Sequence, residues 1–461
     1  MSDTHGIIDL TRQLCSYNVG VVAPDNDALF ARIADELPIR LHRYGSDERH
    51  NGWRVPGLWE VREATLWKGE RLIDDAGSHP LGVASQSVSF EGELSLDELR
   101  PHLVSDPERP DARIFHCRWQ YRPWESDWAL SLPDRIVREL TEGTYRVRLR
   151  VRSEPGEMLV ADHEHAGESP ETIVFNSHTC HPGQANDGMV GVATLLRLFQ
   201  WLQGRRTRLS YRLVLGPEHL GTVFYLRDRP REEIERLAGG VFVEMTGVPS
   251  PFVATRTFLG DRPLDRAMAH VLRHRGEGGE VVGWRKGAGN DETVWEAPGY
   301  EVPFIELTRR RVQFDAYPEY HSSLDTPDSL DPARVDEGFE LLRDLVDVLE
   351  RDSVANRLFE GLVCLSAPEY GLYPERFDPS LDQDLPADSD RWGVLCDHIL
   401  RRFDGATTVR EMADEAGLPF GPVRDYVQRF AEAGLVELAP ADLGRPELTR
   451  AATPAATLAS G

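Results

Sequence analysis

The sequence predicts an α/β protein in which helices cover both faces of a mixed sheet over residues 150–350. Within that range, short apolar runs alternate with amphipathic helical stretches, as in α/β domains. Residues 41–149 instead carry short β-like runs broken by turns, which predict an inserted β-rich domain. From residue 388 onward, three helical stretches precede one short strand, the order found in winged-helix domains.

Length, charge and cysteine usage limit the class of protein. A chain of 461 residues with 40% hydrophobic content suffices for two or three domains with real cores. The formal charge of −25 repels phosphate backbones and argues against a nucleic-acid partner. Five scattered cysteines form no disulfide framework, and neither a membrane span nor a leader pattern is visible. We therefore expect a cytoplasmic protein without membrane contact.

The first 150 residues carry little visible chemistry. Residues 1–40 have a helical pattern and are grouped with 150–350 as one catalytic domain. In the β-rich block, the runs 64–67, 113–117 and 145–151 predict strands, and its tryptophans are expected in the core. The polar run 161–165, with two histidines, predicts a solvated turn.

Four apolar runs after residue 150 are each followed by an acid or an imidazole. The runs 173–175, 212–215, 241–243 and 303–307 predict buried strands. The polar residues just beyond them include His178, Glu218, Glu244 and His321. Because active residues of α/β sheets cluster at the carboxyl ends of strands, we expect these side chains to converge.

The richest of these strand ends leads into an amphipathic helix that runs through about Leu202. Its loop contains His178, Cys180, His181 and Asp187. Imidazole, thiolate and carboxylate groups are the usual ligands of transition metals. This loop therefore predicts part of a metal site.

Capping residues predict the helices of the C-terminal part. Asp331 is a predicted N-cap of a helix that ends near residue 350, and 351–387 predicts a linker. Residues 388–440 form the predicted winged helix, with a capping box from Thr408 to Glu411, and 441–461 a disordered tail. Since the third helix mixes acidic and basic residues, we favour a peptide-binding or dimerisation role over DNA binding.

A hydrolytic zinc site needs about three protein ligands and a carboxylate that takes the proton of the metal-bound water. Asp187, Glu244 and His321 are candidate ligands, completed by His178 or His181. Glu218 then remains as the general base.

Several motifs in this order resemble the zinc-dependent aminopeptidase superfamily, which includes glutaminyl cyclases. They are His178-x-x-His-Pro-x-x-Ala-Asn-Asp187-Gly, Glu218 with Leu-Gly, Glu244-Met-Thr-Gly, Asn290-Asp-Glu292, and Tyr320-His-Ser with Asp325. The chain is most similar to a bacterial branch known as an aminopeptidase-like domain of unknown function, with a β-rich insertion and a C-terminal winged helix. The resemblance implies a three-layer zinc-exopeptidase-like fold, zinc as cofactor and Asp187 as a bridging carboxylate.

Two positions depart from the superfamily pattern. Cys180 stands where an aspartate orients the first ligand, and whether His178 or His181 is that ligand stays open. His219 stands where two-metal aminopeptidases have a second glutamate, so one or two zinc ions remain possible readings. Cys180, His219 and Asp291 are therefore candidates for a ligand or for a group that supports one.

Substrate contacts are expected from three further residues. Glu292, with Asp291, can pair with a substrate ammonium, Arg309 in the run 309–311 can hold a carboxylate, and Tyr320 lies beside the last ligand. The expected substrate is a small peptide or an amino-acid conjugate cut at an N-terminal amide bond, and a homo-oligomer is left open. The alternatives are zinc-dependent acyl transfer or cyclisation, and a non-catalytic peptide-binding or regulatory protein that acts through the winged helix.

Overall fold

The computed structural model describes residues 3–275, 278–309, 317–373 and 388–445, together with Leu448. Its strands are β1 Arg40–Gly45, β2 Arg49–His50, β3 Trp53–Arg54, β4 Leu58–Lys68, β5 Arg71–Asp75, β6 Phe90–Ser95, β7 Leu103–Val104, β8 Leu130–Ser131, β9 Thr144–Glu154, β10 Glu157–His165, β11 Thr172–His178, β12 Ser210–Gly216, β13 Leu237–Val243, β14 Val253–Thr255, β15 Glu280–Val282, β16 Phe304–Thr308, β17 Ser353–Arg357, β18 Asp404–Thr408 and β19 Val436–Pro440. Its helices are α1 Asp3–Leu14, α2 Asn26–Glu36, α3 Leu96–Leu99, α4 Asp134–Arg138, α5 Val190–Gln203, α6 Leu220–Arg227, α7 Arg231–Glu235, α8 Pro263–Arg275, α9 Glu292–Trp295, α10 Pro332–Arg351, α11 Ser389–Arg402, α12 Val409–Ala416 and α13 Phe420–Glu432.

A mixed sheet forms the centre of the molecule and confirms the predicted α/β class. Among the described strands its order is β1, β10, β12, β11, β13, β16, β14 and β15. The four middle strands, β12, β11, β13 and β16, run parallel, while β10 and β14 pair antiparallel with their inner neighbours. All residues of β11, β12, β13 and β16 are buried, because helices cover both faces of the sheet.

Two apolar cores lie on opposite faces of this sheet. On one face α5 packs with α1, α8 and α10, around residues such as Leu195 and Leu342. On the other face α6 and α9 pack around Phe224 and Trp295. No helix in the described part of the chain is both long enough and apolar enough to span a bilayer.

The prediction of a solvated turn at residues 161–165 is wrong, because these residues belong to strand β10. Asp162 is buried there, and its carboxylate accepts hydrogen bonds from the guanidinium of Arg40 and the hydroxyl of Tyr225. The polar residues that suggested a turn are thus satisfied by partners far away in the sequence.

Between residues 41 and 149, strands β5, β4, β9 and β6 form a separate four-stranded antiparallel sheet with its own apolar core. The run 113–117 is not one of its strands, which corrects the prediction. It is an extended segment that makes one bridge, from Ile114 to Ser322. Trp128 is buried in the core as expected, whereas Trp124 is 63% exposed. The assignment of this block as an inserted domain stays a prediction.

The C-terminal part contains α11, α12 and α13 with the three-stranded sheet β18, β17 and β19. The capping box between Thr408 and Glu411 is confirmed, as is the N-cap at Asp331. The predicted linker is wrong for residues 353–357, which form the central strand β17 with Ala355 buried. Residues 374–387 and most of the predicted tail lie outside the described residues, and the winged-helix assignment stays a prediction.

Candidate functional site

Two neighbouring parallel strands bring His178 and Glu244 together. The register pairs Asn176 of β11 with Phe242 of β13, so the residues two positions further along each chain stand side by side. His178 Nε2 lies 2.9 Å from Glu244 Oε2 and 3.2 Å from Asp187 Oδ1. All three side chains are at most 3% exposed. We call His178, Asp187 and Glu244 the inner group.

Asp187 reaches this point from an irregular turn before α5. Gly188 adopts φ 125°, and a Cβ atom there would lie 2.9 Å from His178 Cε1, so only glycine fits. The carboxylate of Asp325 accepts hydrogen bonds from the backbone N–H of Asn186 and Asp187, at 2.7 and 3.0 Å, and from the hydroxyl of Tyr317. Asp325 therefore positions the turn that carries Asp187.

A second set of possible ligands shares Asp187. His321 Nε2 lies 2.9 Å from Asp187 Oδ2, and His181 Nδ1 lies 4.0 Å from Asp187 Oδ1. His321 is 24% exposed, so this side of the site reaches solvent. We call His181, Asp187 and His321 the outer group. The two groups are linked directly, because His181 Nδ1 is 2.9 Å from His178 Nδ1.

Glu218 lies at the rim of the outer group. Its Oε2 is 3.7 Å from His181 Nε2 and accepts a hydrogen bond of 3.2 Å from the hydroxyl of Tyr121. The side chain of Glu218 is 17% exposed, and its backbone N–H donates to the buried Cys180 Sγ. Burial raises the pKa of Cys180, which disfavours the thiolate that a metal would bind.

His219 is directed to a different partner. Its Nδ1 lies 3.1 Å from Asp291 Oδ1, and the other oxygen of Asp291 accepts from the hydroxyl of Thr222. Neither His219 nor Asp291 belongs to the two ligand groups. The structure thus places His181, not His219, near Asp187 and His321.

The electrostatics of the inner group fit a cation. Burial alone would lower the pKa of His178, but its hydrogen bonds with Asp187, Cys180 and Glu244 raise that pKa well above the usual range. Burial raises the pKa of Glu244 to about 8. Burial would also raise the pKa of Asp187, but the imidazoles of His181, His178 and His321 hold it well below its usual range. The buried carboxylates and imidazoles thus share protons in the absence of a metal. A divalent cation that binds to these side chains displaces those protons.

The donor atoms also match zinc. Within each group the ligand atoms lie within 4.8 Å of one another, and the set consists of imidazole nitrogen and carboxylate oxygen. The residues present therefore fit a zinc site that Asp187 shares between the inner and outer groups.

Three non-glycine residues at the site have left-handed backbone conformations with positive φ. They are His219 with φ 55°, Met245 with φ 50° and His321 with φ 51°. Such conformations cost about 1 to 3 kcal/mol each and cluster at functional sites. Surrounding contacts must hold them, and they re-aim the chain where β12, β13 and the last loop reach the cluster.

Sequence reasoning missed the residues that line the site from the block 41–149. The ring of Phe115 packs edge-on against His181 and His321, with ring centroids 4.9 and 5.2 Å apart. Tyr121, also from this block, donates to Glu218. No periodicity or motif in the sequence marks either residue. Asn290 was named as part of a motif but was given no role, and its amide donates to Glu244 Oε1 at 2.8 Å.

The expected substrate contacts fare unequally. Tyr320 stacks on His321 with centroids 3.9 Å apart, close to the outer group. Arg309 is not available to a substrate: its buried guanidinium donates to the carbonyls of Thr246 and Ser250 and to Glu337. Arg310 and Arg311 lie outside the described residues.

Glu292 is also poorly suited to hold an ammonium. The side chain is fully buried, and burial together with the nearby Glu306 raises its pKa well above the usual range. A protonated carboxyl group offers no charge to a substrate amine. Asp291 is occupied by His219 and Thr222.

A family model described as "Domain of unknown function (DUF4910)" matches residues 8–352. The chain belongs to the DUF4910 family. A curated relative from Clostridium acetobutylicum, named as a candidate polysaccharide biosynthesis protein with an aminopeptidase-like domain, is 26% identical to this DUF4910 chain over 408 residues, which are 88% of the chain and 90% of the relative.

Solved structures confirm the predicted fold. A candidate peptidase from Clostridium acetobutylicum, 22% identical, matches with a TM-score of 0.80 over 95% of this DUF4910 chain and 96% of its own. BSAP, a zinc aminopeptidase from Bacillus subtilis, is 12% identical and matches with a TM-score of 0.54 over 74% of this chain and 94% of its own. The DUF4910 chain therefore has an aminopeptidase-like fold, as its motifs implied.

Proposed function

We propose that this protein is a metal-dependent, aminopeptidase-like hydrolase that cleaves an N-terminal amide bond of a small peptide or amino-acid conjugate. The observation that carries the proposal is the partly exposed Glu218 at the rim of a buried histidine and carboxylate cluster. A carboxylate base beside a metal-ligand set is the arrangement that amide hydrolysis requires.

In this proposal His178, Asp187 and Glu244 hold one zinc ion, and His181, Asp187 and His321 hold a second. Bound zinc supplies the Lewis acidity that polarises the scissile carbonyl and an attacking water. Asn290 fixes Glu244 by donating to its Oε1, and Asp325 fixes the turn of Asp187. These contacts keep the ligand atoms in place before substrate arrives.

Glu218 moves the proton. Its carboxylate takes a proton from the attacking water, whose oxygen bonds to the carbonyl carbon, and then gives that proton to the amine nitrogen as the C–N bond breaks. The hydroxyl of Tyr121 holds Oε2 in place. Phe115 packs edge-on against the imidazoles of His181 and His321 and helps to hold the two rings in place.

The substrate is proposed to be small and to carry a free amine. Tyr320, stacked on His321 beside the outer group, provides a ring surface for its side chain or its leaving group. The name of the Clostridium acetobutylicum relative connects an aminopeptidase-like domain with polysaccharide biosynthesis. We therefore include aminoacyl amino sugars among the candidate conjugates.

The test combines zinc content with a substrate screen. Wild type, Glu218→Gln and the exposed control Glu369→Gln are compared on aminoacyl amides, dipeptides and aminoacyl amino sugars. We expect zinc in all three proteins, hydrolysis by wild type and the control, and a kcat for Glu218→Gln that is lower by about 10² to 10⁴.

Mass spectrometry of the products separates the other readings. Loss of ammonia or water from the substrate would indicate cyclisation, and transfer to an added amine would indicate acyl transfer. A protein without zinc, in which neither Glu218→Gln nor Asp187→Ala changes any activity, would contradict the enzymatic proposal.

A further inference from the structure

Helix α8 carries two histidines one turn apart, on the side that faces the C-terminal helices. His270 and His274 are separated by four residues and therefore share one face of the helix. Their ring centroids are 4.6 Å apart. His270 is only 2% exposed.

A carboxylate orients the ring of His270. Its Nδ1 lies 2.7 Å from Asp414 Oδ1 on α12, so in the neutral ring Nδ1 carries the hydrogen and Nε2 keeps the lone pair. Asp414 is itself fixed by Arg273 and Arg410. This carboxylate–imidazole arrangement is the one that orients metal-binding histidines.

The Nε2 atoms of the two rings make no hydrogen bond with the described residues. Both atoms, in His270 and in His274, are buried. Two unpaired nitrogen atoms thus lie on one helix face.

Both rings line a cavity of about 540 Å³ between α8, α10 and α13. Its other walls include Asp344 and Asp347 from α10, Arg275 from α8 and Phe420 from α13. Asp344 accepts a hydrogen bond from Arg275, and Asp347 pairs with Arg351. Because both carboxylates are already paired with guanidinium groups, the two imidazoles are the groups that could hold a ligand in this space.

We propose that His270 and His274 bind a divalent transition-metal ion in this cavity, separate from the cluster around Asp187. Two histidines four residues apart on a helix are a geometry that chelates such ions through one lone pair from each ring. Water would complete the coordination.

The test is a calorimetric titration of Ni²⁺ into tag-free, full-length, zinc-loaded protein. Imidazole ligands bind Ni²⁺ strongly, and loading with zinc keeps the cluster around Asp187 filled. We expect one Ni²⁺ per chain in wild type, and binding at least about tenfold weaker in His270→Ala and in His274→Ala. The control His398→Ala, which removes an exposed histidine of α11, should bind as wild type does.

Two further measurements keep the result unambiguous. Asp187→Ala should retain this Ni²⁺ site, so its behaviour separates the α8 site from the proposed active site. Ni²⁺ should also raise the Tm of wild type but not of His274→Ala, since a ligand bound to the folded state stabilises it. If His270→Ala fails to fold, His274→Ala decides. Equal Ni²⁺ affinity of a folded His274→Ala and wild type, or no Ni²⁺ bound by wild type, would overturn the proposal.

Discussion

The two sides of the candidate site are built differently. His178 and Glu244 stand at the ends of adjacent parallel strands, and each is at most 1% exposed. Phe115 and Tyr121 instead come from residues 113–121, which we call the covering stretch and which are held to the loop of His321 by a few backbone hydrogen bonds. The sheet itself fixes the first pair, whereas charged side chains must anchor the second. Changes on the strand side should therefore abolish function, and changes on the other side should adjust it.

The largest effect is expected for Asp187→Ala, which removes the carboxylate shared by the inner and outer groups. Zinc content should fall, and kcat/KM should drop at least about a thousandfold, equivalent to ~4 kcal/mol. Plasma mass spectrometry and kinetics measure both. The matched control is Asp328→Ala, an aspartate 80% exposed on the surface. Full zinc content and activity in Asp187→Ala would contradict the expectation that changes on the strand side abolish function.

Arg113→Met tests the anchoring of the covering stretch. Arg113 donates to both oxygens of Asp74, and the two side chains are 12% and 8% exposed. Since the change leaves a buried carboxylate unpaired, the free energy of unfolding should fall by about 3 kcal/mol in urea titrations. Arg135→Met, which breaks an exposed pair with Asp111, should change it by less than about 0.5 kcal/mol. Equal effects would show that the buried pair is no anchor.

On the strand side, the free energy of unfolding should depend on pH through Glu296. Its carboxylate accepts a hydrogen bond from the N–H of Phe304 at the start of β16. Burial raises the pKa of Glu296 to about 7. The folded state thus prefers the protonated acid, so the contribution of Glu296 to stability is complete below pH ~4.3 and is lost as the pH rises to about 7, a change of about 3 kcal/mol. Glu296→Gln should flatten this profile, while the exposed control Glu360→Gln should not. A wild-type profile without this decline would contradict the assignment.

Tyr121→Phe should have the smallest effect. It removes the hydroxyl that donates to Glu218 but keeps the ring. Loss of one hydrogen bond is worth about 1 kcal/mol, so kcat should fall about fivefold with KM unchanged. Steady-state kinetics measure kcat and KM. The control is Tyr300→Phe, which changes a half-buried tyrosine outside the site. A kcat equal to wild type would mean that Glu218 needs no positioning from the covering stretch.

Features governed by neighbouring residues could be predicted from the sequence. The N-cap at Asp331 and the capping box at Thr408 depend on contacts within one helical turn, and both are present. The buried parallel strands are likewise visible as short apolar runs, because both of their faces are covered. The ligand candidates followed from those strands, since side chains at strand ends share one edge of the sheet.

Features governed by distant partners could not be predicted. Asp162 looked solvated because its partners, Arg40 and Tyr225, lie far away along the chain. Arg309 looked exposed because the carbonyls that its guanidinium binds come from another loop. Tyr121 carries no local signal, since its hydroxyl meets Glu218 only after the block 41–149 folds against the main sheet.

The sequence by itself determined which residues are candidates and in which order they reach the site. The tertiary structure decided their pairing. Register between β11 and β13 puts His178 beside Glu244, and the turn at Gly188 brings Asp187 to both. The same packing leaves His181 near His321 and turns His219 toward Asp291. Strand register and loop direction depend on contacts across the whole sheet, which no local pattern encodes.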